Sequence, residues 1–191
     1  PGGIALSTVI ELYYSFACQG SYRAHAWLRE TGRDLAVEWR PYAIRTHGQI
    51  DYWGRAWYSA DSELRGFIAA EAAARQGTRA ATAFRAALFE AVHERGLDLG
   101  DEATLLAAGQ QAALDLVRFK ADWQDPDIMK SIQTGQQHAI ENPGVFGTPT
   151  MAFADGRVVQ IELAGSVTGS EGRRLLELVT DPTKAPPHAR S

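Results

Sequence analysis

Two textures of apolar patterning alternate along the chain. Residues 8 to 14, Thr-Val-Ile-Glu-Leu-Tyr-Tyr, are β-branched and aromatic with no helical period, which predicts a central strand. After a loop at Ser15, Phe16 and Ala17, the apolar positions Tyr22, Ala26 and Trp27 recur at helical spacing between Cys18 and Thr31. Gly32 then supplies a C-terminal stop. Leu35 to Arg40, closed by Pro41, predicts a second strand, and a return across a helix makes the segment a parallel βαβ unit.

From about Ser59 to Glu141 strand texture disappears. Ala, Leu, Arg and Glu dominate, and breaks at Gly77, Gly96 to Asp101, Gly109 and Asp125-Pro126 each predict a helix boundary. Asp125 is a good N-cap with proline at the first helical position, so a helix is expected to about Ile140. After Asn142-Pro143 the β pattern resumes: Thr150 to Ala154 and Val158 to Leu163 flank the hairpin signal Asp155-Gly156. An amphipathic helix from about Ser170 to Val179 follows, and the proline-rich tail, Asp181 to Ser191, is assigned no structure. The order predicts an α/β chain, a thioredoxin fold with an inserted all-helical domain. Its parts are residues 8–58 and 142–180 for the thioredoxin-like portion, 59–141 for the insertion and 181–191 for the tail.

Composition narrows the function classes. With 191 residues, 45% hydrophobic and 22% charged, the chain can bury a real core. A formal net charge of −4 offers no electrostatic footprint for nucleic acid or anionic lipid, so neither is an expected partner. No apolar run approaches the roughly 20 residues of a membrane span, and the first ten residues lack a basic and an apolar leader region. A cytoplasmic location is therefore expected, although the start Pro1-Gly2-Gly3 leaves a removed leader open. A single cysteine excludes an internal disulfide.

That cysteine, Cys18, falls where the first strand hands over to the first helix, near unpaired backbone N–H groups and the positive end of the helix dipole. Such placement favours the thiolate nucleophile. Ser21 lies one turn on, where its hydroxyl could donate to that thiolate, so Cys-Gln-Gly-Ser reads as a Cys-x-x-Cys motif with its second sulfur replaced by oxygen. Attack on a disulfide would stop at a mixed disulfide until an external thiol released it.

Glu11 to Ser21 together with Gly144-Val-Phe-Gly-Thr-Pro-Thr150 resembles the two active-site segments of the DsbA-like thioredoxin family. Val37-Glu-Trp-Arg-Pro-Tyr42 and Leu114-Asp-Leu-Val-Arg-Phe119 before Asp125-Pro126 are similar to its cytosolic actinobacterial members. The resemblance implies a cis bond at Pro149 facing Cys18, and a Thr148 backbone that pairs with a bound peptide or thiol ligand. Most such oxidoreductases carry two cysteines; here Ser21 occupies the second position. A related branch, the kappa-class glutathione transferases and 2-hydroxychromene-2-carboxylate isomerases, has serines at both positions, and Cys18 and Ser21 match them with one exchange. That branch holds a glutathione carboxylate at the turn opening its last helix, which Gly169-Ser170-Glu171-Gly172-Arg173 resembles, with one extra residue before Arg173.

The expected function is a single-cysteine thiol–disulfide oxidoreductase forming mixed disulfides. No cofactor is expected to bind tightly; glutathione or mycothiol would serve as co-substrate. A small thiol or disulfide is the expected partner, and a homodimer is left open. The alternatives are a glutathione- or mycothiol-dependent transferase or isomerase, and a non-catalytic module that uses the cis-proline groove. Cys18 and Ser21 are the catalytic candidates; Thr148, Pro149, Ser170 and Glu171 the cofactor-binding ones; Phe16, Gln19, Trp53 and Trp57 the substrate-groove ones. Plainer roles compete: Cys18 as a small buried hydrophobe, Ser21 as a capping hydroxyl, and Tyr52, Trp53, Trp57 and Tyr58 as a hinge core between subdomains. His25, two turns past Cys18, is too far for a general base. His47, His93, His138 and His188 have no metal-ligand spacing, and Gly144-Val-Phe-Gly147 matches no nucleotide-binding motif.

Overall fold

The computed structural model describes residues 9–33, 35–43, 52, 57–141, 144–181 and 183. Thr8, Trp53 and most of the tail lie outside the described residues. The chain runs β1 (Ile10–Tyr14), α1 (Gln19–Thr31), β2 (Val37–Pro41), a 3-10 turn (Trp57–Ser59), then α2 (Ser62–Ala74), α3 (Thr78–His93), α4 (Glu102–Gln111), α5 (Leu116–Asp122) and α6 (Pro126–Glu141). It closes with β3 (Thr150–Ala152), β4 (Val158–Gln160) and α7 (Gly169–Thr180).

The four strands form one sheet in the order β2-β1-β3-β4. β1 pairs parallel with β2, placing Ile10 opposite Val37 and Tyr14 opposite Pro41. β3 runs antiparallel to β1, with Leu12 opposite Met151, and β4 antiparallel to β3. This is the expected α/β thioredoxin arrangement, with α2 to α6 interposed between the parallel pair and the hairpin. β1 is buried because it is central, which its run of apolar side chains requires.

Ile10, Leu12 and Tyr14 lie on one face of β1, yet the two ends of that face feed different cores, while Tyr13 on the other face packs with Tyr42 and Val145. Ile10 and Leu12 pack with Trp27, Met151 and Val179 between the sheet, α1 and α7. Tyr14 and Phe16 instead join Phe67, Phe84, Phe89 and Phe119 of the helices. The helical block is therefore continuous in packing with the strand that leads into Cys18.

Three boundaries differ from the sequence pattern. Gly109 does not end a helix but sits inside α4, because a Cβ there would lie 3.1 Å from Leu116 and Phe119; close helix approach, not a stop, explains it. β3 and β4 are shorter than expected: β3 stops at Ala152 because residues 153 to 157 form the turn, and β4 stops at Gln160, after which Ile161 N–H donates to Pro149 O at 2.9 Å, outside the β3 ladder. Within the turn Phe153 N–H donates to Arg157 O at 2.9 Å and Gly156 adopts φ +85°. Asp125 caps α6 as expected, its carboxylate accepting from Asp127 N–H at 2.8 Å.

Candidate active site

Cys18 is the N-cap of α1, in extended backbone conformation, and its carbonyl accepts the first helical hydrogen bond from Tyr22 N–H at 3.1 Å. No acidic residue occupies the first turn of α1, so nothing there opposes the dipole beside the sulfur. The thiol is half-buried. It donates to the carbonyl oxygen of Thr148 at 3.3 Å, across 130 residues of chain. The Thr148–Pro149 peptide bond is cis.

Glycine at position 20 makes this approach possible. A Cβ on Gly20 would stand 2.9 Å from Pro149 Cδ and 3.5 Å from Cys18 Sγ. Thr148 presents its carbonyl to the sulfur, while its own hydroxyl is buried without a partner among the described residues.

The loop before Cys18 is braced by serines. Ser15 Oγ donates to the carboxylate of Glu63 in the first turn of α2 and accepts from Ala17 N–H at 3.1 Å. Ser15 N–H donates to Ser21 Oγ at 3.3 Å, and Cys18 N–H to Ser15 O at 3.2 Å. Ser21 is fully buried, so its oxygen faces the loop backbone from beneath.

His93, at the end of α3, completes the surroundings. Its Nε2 donates to Phe16 O at 2.8 Å, its Nδ1 lies 3.1 Å from the Gln19 side-chain amide, and its ring stacks on Tyr22 with centroids 5.0 Å apart. Burial lowers the pKa of His93, with the Phe16 hydrogen bond opposing, so the neutral ring with Nε2 protonated fits the geometry. His93, Ser15 and Glu63 escape the sequence reading because each reaches the loop through tertiary contacts; a search for metal spacing passes over His93 entirely.

The remaining candidates separate. Gln19 is exposed beside Cys18. Phe16 and Trp57 are not groove residues: Phe16 is fully buried against Phe67 and Phe89, and Trp57 is buried and stacked on Trp123 with centroids 4.4 Å apart. Large rings beside a helical block found more area to bury in its core than at its surface. Trp53 lies outside the described residues. The exposed aromatic on the Pro149 loop is Phe146, at 77% exposure.

Ser170 and Glu171 open α7 but are not brought to Cys18. The first turn of α7 packs on the far end of α1, where Trp27 Nε1–H donates to Gly172 O at 2.9 Å, and Gly169 N–H donates to Glu30 at 2.8 Å. Glu30 stands 12 residues along α1 from Cys18, about 18 Å at the helical rise. A carboxylate of the chain itself thus sits where an anionic ligand was expected. His25 is buried, edge-on to Trp39 and beside Phe89, and has no part near the sulfur.

Among the described residues no cluster of His, Cys, Asp and Glu could hold a metal, and no helix is long and apolar enough to cross a membrane. The family model of DSBA-like thioredoxin domains matches residues 9–171. No curated protein sequence matches the chain significantly. Among solved structures, the cytosolic disulfide reductase DsbM from Pseudomonas aeruginosa with GSH superposes with TM-score 0.64 at 18% identity, covering 90% of this chain and 98% of that one. A 2-hydroxychromene-2-carboxylate isomerase gives TM-score 0.64 at 17% identity over 92% and 95%. A putative protein disulfide isomerase from Nitrosomonas europaea gives 0.63 at 16% over 93% and 99%.

Proposed function

We propose that this chain, which belongs to the family of DSBA-like thioredoxin domains, is a thiol–disulfide oxidoreductase that works through Cys18 alone. The observation that carries the reading is the half-buried Cys18 thiol at the N-cap of α1, donating to the carbonyl that precedes a cis-proline. A sulfur there is reachable by a small reactant. It also stands at the N-terminus of α1, beside the backbone N–H groups of the first turn.

The Cys18 thiolate attacks one sulfur of a disulfide R–S–S–R′. The bond from Sγ to R–S forms, the old S–S bond breaks, and R′–S⁻ leaves with the electron pair. The chain holds no second cysteine, so release requires a thiolate from solution, R″–S⁻. It attacks the mixed disulfide, forms R–S–S–R″ and returns Cys18 to its thiolate. Glutathione or mycothiol fits the part of R″–SH, acting as co-substrate rather than bound cofactor. The glutathione in the Pseudomonas aeruginosa reductase of the same fold supports a thiol of that class.

In this scheme Ser21 is a positioning residue, accepting from Ser15 N–H under the loop, and not a resolving nucleophile. Thr148 and Pro149 form the wall against which the reacting disulfide lies, with Gln19 at the rim. The transferase or isomerase alternative would draw on an anion site at the start of α7, and the Glu30 carboxylate already meets the first N–H there.

Reduction of hydroxyethyl disulfide at increasing glutathione tests the scheme. Turnover is expected to rise with external thiol and to vanish in Cys18→Ala. Ser21→Cys, by placing a second sulfur in the motif, is expected to release R–S⁻ by closing a disulfide between the two motif sulfurs, so that external thiol is then consumed in reducing that internal disulfide instead of in the release step. Turnover retained by Cys18→Ala would defeat the reading.

A further inference from the structure

A second cavity, of about 800 Å³, opens away from the thiol, between the C-terminal half of α1, strand β2 and the N-terminal half of α3. That is the size range of small-molecule sites. β2 is one of the two edge strands of the sheet, so this wall also offers backbone groups that no neighbouring strand takes.

Three guanidinium groups, Arg29, Arg33 and Arg85, line the cavity against one carboxylate, Glu38. Glu38 is engaged elsewhere, in an ion pair with Arg40 at 3.0 Å. None of the three arginines forms an ion pair among the described residues. In a chain of net charge −4, the cleft thus carries a local excess of positive charge, with Glu30, Glu90 and Glu94 standing on the far side of Arg29 and Arg33.

Arg85 differs from a surface arginine. Its guanidinium carbon lies 4.5 Å from the centroid of the Trp39 ring, it donates to the Tyr14 hydroxyl oxygen, and its Nε is buried with no partner among the described residues. The acid whose charge acts on it is Glu71, whose carboxyl is itself pushed toward the neutral form by burial. A guanidinium fork matches a carboxylate in two hydrogen bonds. Around it the surface is apolar: Leu28, Leu35, Val37 and Ala81 join Trp39.

We propose that this cleft is a binding site for a small organic carboxylate with a flat apolar body, its carboxylate held by Arg85, Arg29 and Arg33 and its body lying against Trp39. Neither the thiol nor the Pro149 loop takes part, so the site is independent of the oxidoreductase reading.

Calorimetric titration of the full chain with 2-naphthoate, and with uncharged 2-naphthamide, tests it. Naphthoate is expected to bind one saturable site. Naphthamide is expected to bind at least about tenfold more weakly, and Arg29→Gln/Arg33→Gln to weaken naphthoate by a similar factor, since both changes remove the charge pairing. These two arginines are exposed, so the double variant keeps the core intact; Thr82→Trp, which fills the cleft from its exposed rim, is expected to abolish binding. Cys18→Ala should bind as the wild type does. Absence of saturation at millimolar naphthoate, equal binding of naphthamide, or indifference to the arginine and Thr82 changes would overturn the proposal. Loss of binding in Cys18→Ala would move the ligand to the thiol site and overturn it equally.

Discussion

Gly20 shows how narrow the tolerance beside the sulfur is. Helix propensity favours Ala over Gly by about 1 kcal/mol in a helix interior. The added Cβ would nonetheless press on Pro149 Cδ at 2.9 Å, and that ring carbon is fixed to the backbone. Overpacking of this kind costs about 1–3 kcal/mol, so Gly20→Ala is expected to lower the denaturation midpoint and slow Cys18 alkylation, measured by urea unfolding and iodoacetamide kinetics. A midpoint that rises would mean the loop gives way freely. His25 makes a second prediction. Burial, with the Arg85 and Arg29 charges adding to it, pushes its pKa down to about 3 from an ordinary 6.5. The unfolded chain then binds a proton that the folded chain refuses, so this contribution is intact above pH 6.5 and is lost as pH falls toward 3. The slope is at most roughly 1.4 kcal/mol per pH unit. Stability measured across that window should fall less steeply in His25→Gln. Cys18, Ser21 and Gln19 were legible as neighbours because they share one helix turn. Their tertiary partners Ser15, Glu63 and His93 were not, because nothing in the spacing of residues 63 or 93 refers to residue 18.

At the scale of elements, strands and helices follow from local pattern, whereas burial of single aromatics does not. The strand of residues 10–14, the capped helix after Asp125 and the hairpin at Asp155-Gly156 each carry a local signal strong enough to survive tertiary context. Phe16 and Trp57 carry none that distinguishes a groove from a core, and the helical block took both. Gly109 misled in the same way: a glycine demanded by packing looks like one demanded by a turn. α3 joins this core to the thiol loop alongside α2, through Phe89 against Phe16 with centroids 4.9 Å apart and His93 to Phe16 O. His93→Ala should therefore alter Cys18 alkylation kinetics while costing only about 1 kcal/mol of stability, the worth of an ordinary hydrogen bond. Unchanged alkylation would leave His93 as packing alone.

At the scale of the molecule, the helices interposed between β2 and β3 share a continuous core with Tyr14 and Phe16. The chain is accordingly expected to unfold in one cooperative transition followed alike by near- and far-UV dichroism, and Phe89→Ala to destabilise that single transition by about 3–5 kcal/mol. Two separated transitions would show that the helices fold apart from the sheet. The same continuity ties the sulfur to the whole fold, with the Pro149 loop, Glu63 of α2 and His93 of α3 arriving from distant parts of the chain at the strand–helix junction that carries Cys18. The central claim is that this sulfur forms a mixed disulfide and needs a second thiol to leave it. Intact-mass analysis of wild type and Cys18→Ala after incubation with glutathione disulfide, then with excess glutathione, tests it directly. The account predicts one glutathionyl adduct on the wild type, discharged by the added thiol, and none on Cys18→Ala. A wild-type chain that takes up no adduct would contradict it.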